Sequence, residues 1–538
     1  MDWVRQSLSS RARLLEPLVL VGLTAFYLLT TLPNIGNNPI AGGDEGWITS
    51  ASAKLAERGV FGSDLFTGLF NAQDHYYFNL PLYHFMLAAA FKVAGVGLAQ
   101  ARLVSAFFGL VTLWLTYALG RRLAGRWGGV IAAGLLVLLR LNLTPFTGLT
   151  LTDLGATVRY DLIAFPFALG AALLLLPPSG PPSERRAAAA GVVLGLGCLT
   201  QFIGLLFLAP LGLFLLTEGS LPPRRRLRLA IVLGLAALVP FLPYAVYAGS
   251  DWHDFRGQSR TFEQRSDVFS PSFYLDNLRH EPERYNLGLG LSRPVSLSEL
   301  AQRPSARLAL LVLGPAALAY ALVRARGGSA PYRMLAFLLA GLVIEFALLE
   351  STKRFVYWVA VVPFLCAAIA GAGLALLRWQ PAARPLRLAG LASATAAALL
   401  IAGEGAAVGL GNVRDALDAP SFAAVGAEVR QVVPPGSRVV ADNRMWLTLR
   451  DMDVRSLHLL FYWTNPRIAG EEFTDVSGAM ARIDAGYMLL SPLAHEMLAE
   501  LSPADSRRFQ TYMAQHARLI AIVSHPPYGP IEVYRLTR

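Results

Sequence analysis

Ten stretches of the chain run apolar for about twenty residues or more, and this repetition constrains the fold more than any other feature. They lie at about 14–32, 102–120, 129–146, 155–177, 187–217, 229–249, 306–323, 334–350, 355–377 and 388–411. A helix needs roughly 20 predominantly apolar residues to cross a bilayer. Of the 538 residues 54% are hydrophobic and 15% charged, with a mean hydropathy of +0.46; a soluble domain carries roughly 25% charged residues. The chain therefore reads as a polytopic α-helical membrane protein, and disordered, collagenous, coiled-coil and disulfide-stapled classes are excluded. Cys198 and Cys366 fall inside apolar runs and supply neither a disulfide framework nor zinc-ligand spacing.

Positive charge sets the orientation. Short connectors hold Arg121/Arg122/Arg126, Arg185/Arg186, Arg224–Arg226 with Arg228, Arg324/Arg326/Arg333 and Arg378/Arg384/Arg387; with Arg5, Arg11 and Arg13 they gather eighteen arginines on one side. The net charge of +11 thus belongs to membrane connectors and does not point to nucleic acid. The connector 251–305 is balanced, with seven arginines against eight acids. Both flanks of 187–217 can be cytoplasmic only if that stretch turns back near Gln201 and crosses twice. The reading is about eleven spans with the N-terminus inside, the first segment serving as a retained anchor. The scarcity of lysine beside arginine, and the lack of an organelle signal, point to a bacterial plasma (inner) membrane.

The expected domains are a membrane domain, 1–411, and an extracytoplasmic α/β domain, 412–538. The first outer loop, 33–101, holds two amphipathic stretches, Ile48–Glu57 and Leu82–Val93; the second reads as lying along the membrane surface. Beyond Ala419, β-like runs at Ser437–Ala441, Gly486–Ser491, Arg518–Ser524 and Ile531–Leu536 alternate with helical patterns at Ser421–Val432 and Ala494–Leu501. Gly191 and Gly195 predict close helix packing.

Ionisable groups at membrane boundaries are the candidates for chemistry. Asp44-Glu45 follows a glycine pair just past the first span. Its carboxylates fit a general base or hard ligands for a divalent metal, and equally an ordinary helix cap. Glu350-Ser-Thr-Lys353-Arg354 contains one of only three lysines. A cationic pair there suits a phosphate, or else snorkels to headgroups. Arg159 and Asp161 stand two apart at the start of an apolar span. On a helix they do not face each other, so each is expected to pair elsewhere. Arg140 reads as a snorkelling side chain. His75 and His253, near Asp74 and Asp254, suit a metal or a solvated surface. Asn142-Leu-Thr144 matches a glycosylation sequon, and Gly288-Leu-Gly290 lacks the context of a nucleotide loop.

The order of these elements resembles the GT-C membrane glycosyltransferases of the protein O-mannosyltransferase and lipid A aminoarabinose transferase type. The resemblance covers about residues 14–377. It rests on Asp44-Glu45, Phe78-Asn-Leu-Pro81-Leu-Tyr83, Ala101-Arg-Leu-Val-Ser105, Arg159-Tyr-Asp161, Gly195–Gln201 and Thr352-Lys353-Arg-Phe-Val-Tyr357 through Pro363. Where relatives carry lysines in the first loop and the hairpin, this chain has Asn79 and Gln201.

The resemblance implies transfer of a sugar from a polyprenyl-phosphate donor to a lipid, glycan or protein acceptor on the outer face, by one inverting displacement. It makes Asp44 the base and Glu45 its orienter or a metal ligand, and it implies no certain cofactor beyond a possible divalent metal. Lys353 and Arg354 are expected to stabilise the leaving phosphate, with Arg159, Asp161, Tyr357, His75 and Asn79 completing the substrate-binding set. A transporter or flippase, or a non-catalytic membrane scaffold, is the competing reading. Against a transporter, the charged candidates cluster at the outer boundary and no second half mirrors the first.

Overall fold

The computed structural model describes residues 2–141, 151–263, 267–285, 304–353, 355–380 and 384–537. The sequon, Gly288–Gly290 and Arg354 lie outside the described residues. Helix α1 (Asp2–Thr31) leads into the first loop, where α2 (Gly43–Arg58) and α3 (Pro81–Ala94) precede α4 (Leu98–Ala124). Then follow α5 (Arg126–Leu138), α6 (Leu151–Gly155), α7 (Tyr160–Leu175), α8 (Glu184–Cys198), α9 (Leu208–Leu216), α10 (Pro223–Leu238) and α11 (Leu242–Ser250). The second loop contributes α12 (Trp252–Glu263) and α13 (Pro271–Tyr285), and helices Gly314–Arg326, Ala330–Leu349, Val362–Arg378 and Arg384–Asp418 complete the bundle.

Among the described residues five helical stretches are long and apolar enough to cross a membrane: Leu98–Ala124, Pro223–Ser250, Pro304–Arg326, Ala330–Leu349 and the one beginning at Arg384. Leu15–Thr31, Arg126–Leu138, Tyr160–Leu175, Phe202–Leu216 and Val362–Arg378 are apolar but shorter. The stretch 187–217 is divided between α8 and α9, with extended Gln201 between them (φ −159°, ψ 143°). Helix α8 packs tightly on α10. A Cβ on Gly191 or Gly195 would stand 2.3 Å from Leu233 O or 2.2 Å from Ala237 O, which is the close approach that this glycine spacing predicts. Arg140 does not snorkel. It is fully buried, and its Nη2 lies 3.5 Å from Gly405 O on the last long helix.

In the C-terminal part, helix Phe422–Arg430 precedes a five-stranded sheet of order β2-β1-β3-β5-β4: β1 (Arg438–Ala441), β2 (Asp453–Ser456), β3 (Tyr487–Leu490), β4 (Ala517–His525) and β5 (Gly529–Leu536). Strand β1 pairs parallel with β2 and β3, and β5 pairs antiparallel with β3 and β4. Strands β1 and β3 are buried on both faces and therefore read as apolar runs. Strand β2 was not expected: its Asp-Val-Arg-Ser sequence is short, polar at alternate positions, and lies at the sheet edge.

This sheet does not stand apart from the first loop. Phe66, Leu69, Tyr76 and Tyr83 of the loop share one apolar core with Val439, Val440, Leu460, Trp463 and Leu489 of the sheet and its helices. The closest approach is at Gly46 of α2, where an added Cβ would lie 1.9 Å from Asn443 O. On α3 the residues Tyr83, His84, Leu87, Ala88 and Phe91 face that core, while Phe85 on the opposite side is exposed.

Candidate active site

Helix α2 starts at Gly43 with Gly42 as its N-cap, so Asp44 and Glu45 both sit in the first turn, where acids complement the helix dipole. Neighbouring helical residues point about 100° apart (3.6 residues per turn), and these two diverge accordingly. Glu45 is 3% exposed; its Oε1 and Oε2 accept from Arg102 Nε and Nη2 at 2.7 and 2.6 Å. It also accepts from the backbone N–H of Val158 at 2.8 Å and of Gly42 at 2.9 Å. Four donors occupy the Glu45 carboxylate, so the two acids do not form a paired metal site. Asp44 is exposed and makes no hydrogen bond or ion pair among the described residues. It stands within electrostatic reach of Tyr76, Arg159, Tyr160 and His458.

Arg159 and Asp161 do pair, contrary to the expectation from helical spacing. Arg159 is the extended N-cap of α7 (φ −140°, ψ 121°), not a helical residue. Its Nη2 and Nε therefore reach Asp161 Oδ2 at 2.6 and 3.0 Å.

A cavity of about 450 Å³ has Tyr160, the residue between Arg159 and Asp161, in its wall. It is lined by Asn79, Tyr160, Gln201, Glu350, Thr352 and Tyr357 together with hydroxyl, apolar and aromatic side chains. Tyr160 lines it and also lies within reach of Asp44. Asn79 Nδ2 donates to Tyr76 Oη at 3.0 Å. Gln201 Oε1 is buried and accepts no hydrogen bond among the described residues. The described lining contains neither lysine nor arginine.

Lys353 points elsewhere. Its Nζ donates to Glu281 Oε2 at 2.9 Å and to the carbonyls of Ala347 and Phe346 at 3.0 and 3.4 Å. Its backbone is left-handed (φ 50°), and these three bonds hold it there. Glu281 and Glu350 also flank fully buried Arg284, at 2.8 and 2.7 Å. Lys353 is thus a member of a buried ion cluster, and burial pulls its ammonium below the usual lysine range despite Glu281. No local pattern announces this cluster, because Glu281 lies 72 residues away in the second loop.

The second loop also braces the first. Gln258 is fully buried; its Oε1 accepts from Tyr77 N–H at 2.7 Å, and its Nε2 donates to Phe70 O and His75 O at 2.9 and 2.7 Å. His75 does not meet Asp44. It faces Asp251 at 3.2 Å and Asp254 at 3.6 Å, a donor set in which three ligand atoms lie within 4.8 Å of one another.

Two further residues escaped the sequence reading. Arg102 lies inside a recognised motif, and a guanidinium within an apolar helix demands a partner; Glu45 is that partner. His458 reaches the site from the C-terminal domain with no local signal.

Similarity to known proteins follows this geometry. Residues 79–247 match the family described as dolichyl-phosphate-mannose-protein mannosyltransferase. ArnT from Cupriavidus metallidurans, solved bound to undecaprenyl phosphate, superposes with a TM-score of 0.56 at 17% identity, over 96% of this chain and 97% of that one. The oligosaccharyltransferase of Archaeoglobus fulgidus, solved with zinc and sulfate, gives 0.58 at 14% identity, over 96% of this chain and 72% of that one. The fold is GT-C. No curated protein sequence matches the chain. The GT-C likeness spans bundle, loops and C-terminal sheet alike, and the family match begins at Asn79, on the cavity wall.

Proposed function

We propose that this GT-C protein is a membrane glycosyltransferase. It moves a sugar from a polyprenyl-phosphate carrier to a hydroxyl acceptor at the outer boundary of a bacterial plasma membrane, which the chain crosses eleven times. One observation carries the reading: Asp44 is exposed and has no partner among the described residues, while its neighbour Glu45 is fully engaged and Tyr160, within its electrostatic reach, lines a cavity. ArnT bound to undecaprenyl phosphate, and the Archaeoglobus enzyme bound to dolichol phosphate and an inhibitory peptide, support a lipid-phosphate donor.

In this reading Asp44 takes the acceptor proton as the acceptor oxygen forms its bond to the anomeric carbon. The bond from that carbon to the carrier phosphate breaks on the opposite face, so the centre inverts. Asn79, Gln201 and Tyr357 offer neutral hydrogen-bond donors to the departing phosphate. Lys353 is drawn off by Glu281, so its part is to fix the cavity wall at Glu350–Thr352 rather than to grip phosphate. Arg159, locked to Asp161, presents its remaining N–H groups beside Asp44.

The test is transfer from radiolabelled undecaprenyl-phosphate sugars by the full-length protein in detergent or liposomes, wild type against Asp44→Asn. A loss of about a hundredfold to ten-thousandfold is expected for removal of a general base. Equal transfer by both would overturn the assignment.

A further inference from the structure

We propose that His458, delivered by the C-terminal domain, is an acceptor-binding residue: its Nε2–H donates to the acceptor oxygen while Asp44 receives that oxygen's proton. The proposal rests on the glycosyl-transfer reading and names the acceptor as a hydroxyl.

A relay of hydrogen bonds surrounds His458 Nδ1. Ser456 Oγ donates to Asn443 Oδ1 at 2.5 Å, which turns the Asn443 amide so that Nδ2 faces His458 Nδ1 at 3.2 Å. With the amide so turned, the proposal assigns Nδ1 as the acceptor and the proton to Nε2; Ser456 Oγ also stands 3.3 Å from Nδ1. Ser456 Oγ also accepts from the His458 backbone N–H at 3.0 Å, which closes the relay. Both Ser456 and Asn443 are buried, at 0% and 1% exposure.

The same Asn443 registers this relay against α2. Its carbonyl fills the space beside Gly46, two residues from Asp44. The imidazole packs against Trp47 at 5.3 Å and Tyr462 at 6.0 Å, so the ring plane is fixed. Asp44 acts on the ring electrostatically, yet no hydrogen bond joins them among the described residues. A hydroxyl between the two completes both groups: its oxygen accepts from Nε2–H, and its proton goes to the carboxylate. Burial holds the imidazole down to about 4, so it is neutral at pH 7 and donates without competing for that proton. A cation would hold Asp44 as its counter-ion and weaken it as a base.

Two measurements on the full-length protein decide the matter. Nitrogen-15 NMR of the histidine-labelled protein should show His458 neutral, with its proton on Nε2, from pH 7 to pH 5.5. A neutral His458 with its proton on Nδ1 would overturn the proposal. Transfer from undecaprenyl-phosphate sugars is then measured against methyl glycosides as hydroxyl probes. His458→Ala should raise the acceptor KM about three- to tenfold, the scale of one hydrogen bond, and leave the donor KM unchanged. His458→Gln, whose amide N–H replaces Nε2–H, should restore most of the loss. An active wild type with unaltered acceptor KM in His458→Ala overturns this proposal alone. A wild type inert with every donor overturns the transferase reading, and this inference falls with it.

Discussion

Glu45 and Arg102 form a two-point ion pair across the junction of the first loop and α4, with both contacts at 2.7 Å or less and neither side chain more than 4% exposed. Asp44, one residue away, keeps a carboxylate that no group among the described residues claims. The consequences of mutating the two acids should therefore separate cleanly.

Arg102→Ala strands a buried carboxylate, and the cost expected for breaking a buried pair is about 3–5 kcal/mol. Thermal unfolding of the detergent-solubilised protein should show a large fall in Tm. An apolar replacement of both partners, Glu45→Met with Arg102→Met, should recover part of it. A Tm within a degree of wild type for Arg102→Ala would show that the pair is not buried in solution.

Asp44→Asn should leave folding nearly intact. The loss is the interaction of one acid with the helix dipole, about 0.3–1 kcal/mol. Transfer activity falling while Tm holds is the expected signature, read from the same preparation in the two assays.

Gly46→Ala places a methyl group where the Asn443 carbonyl now sits. Overpacking of this kind costs about 1–3 kcal/mol, and here it pushes α2 away from the C-terminal domain. Limited proteolysis should release the C-terminal part faster than in wild type, and the activity loss should track that release.

Acid should loosen the first loop. His84 is buried, its Nδ1 2.9 Å from Ser52 Oγ, and burial depresses it from 6.5 to about 3. A histidine depressed in the fold takes up its proton first in the unfolded chain, so stability is full above pH 6.5 and falls as pH drops from 6.5 towards 3. The contribution lost by pH 5 is of order 1–2 kcal/mol. His84→Gln should flatten the Tm profile between pH 7 and pH 5; an unchanged slope would remove His84 as its source.

The eleven-crossing arrangement is tested by reporter fusions after Arg228 and after Asp418. The first should report a cytoplasmic position and the second an outer one. The same answer from both would break the proposed topology.

Much of this architecture is written in local sequence, and its limits are physical. Apolar length and arginine-rich connectors mark the helices, because crossing a bilayer is a demand on each segment separately. Strands β1 and β3 show as apolar runs because both of their faces are buried. Asp44 stands out as an acid at a helix start. The partners do not show: Glu45 with Arg102, Lys353 with Glu281, and Asn443 with Gly46 join residues distant in the chain, and no local pattern announces them. Arg159 with Asp161 misleads for a different reason. Helical spacing forbids the contact, and the pair forms because Arg159 is still extended when α7 begins.

The shared core of the first loop and the terminal sheet has a bearing on biosynthesis. Asn37 caps the helix at Phe422 across 385 residues of chain, and the loop's aromatic side chains are covered by segments translated later still. Asp44, the base we propose, leaves the ribosome early, but the surface packed on its helix arrives almost last. A nascent chain therefore carries Asp44 through insertion uncovered, and the proposed site is complete only when the closing strands dock.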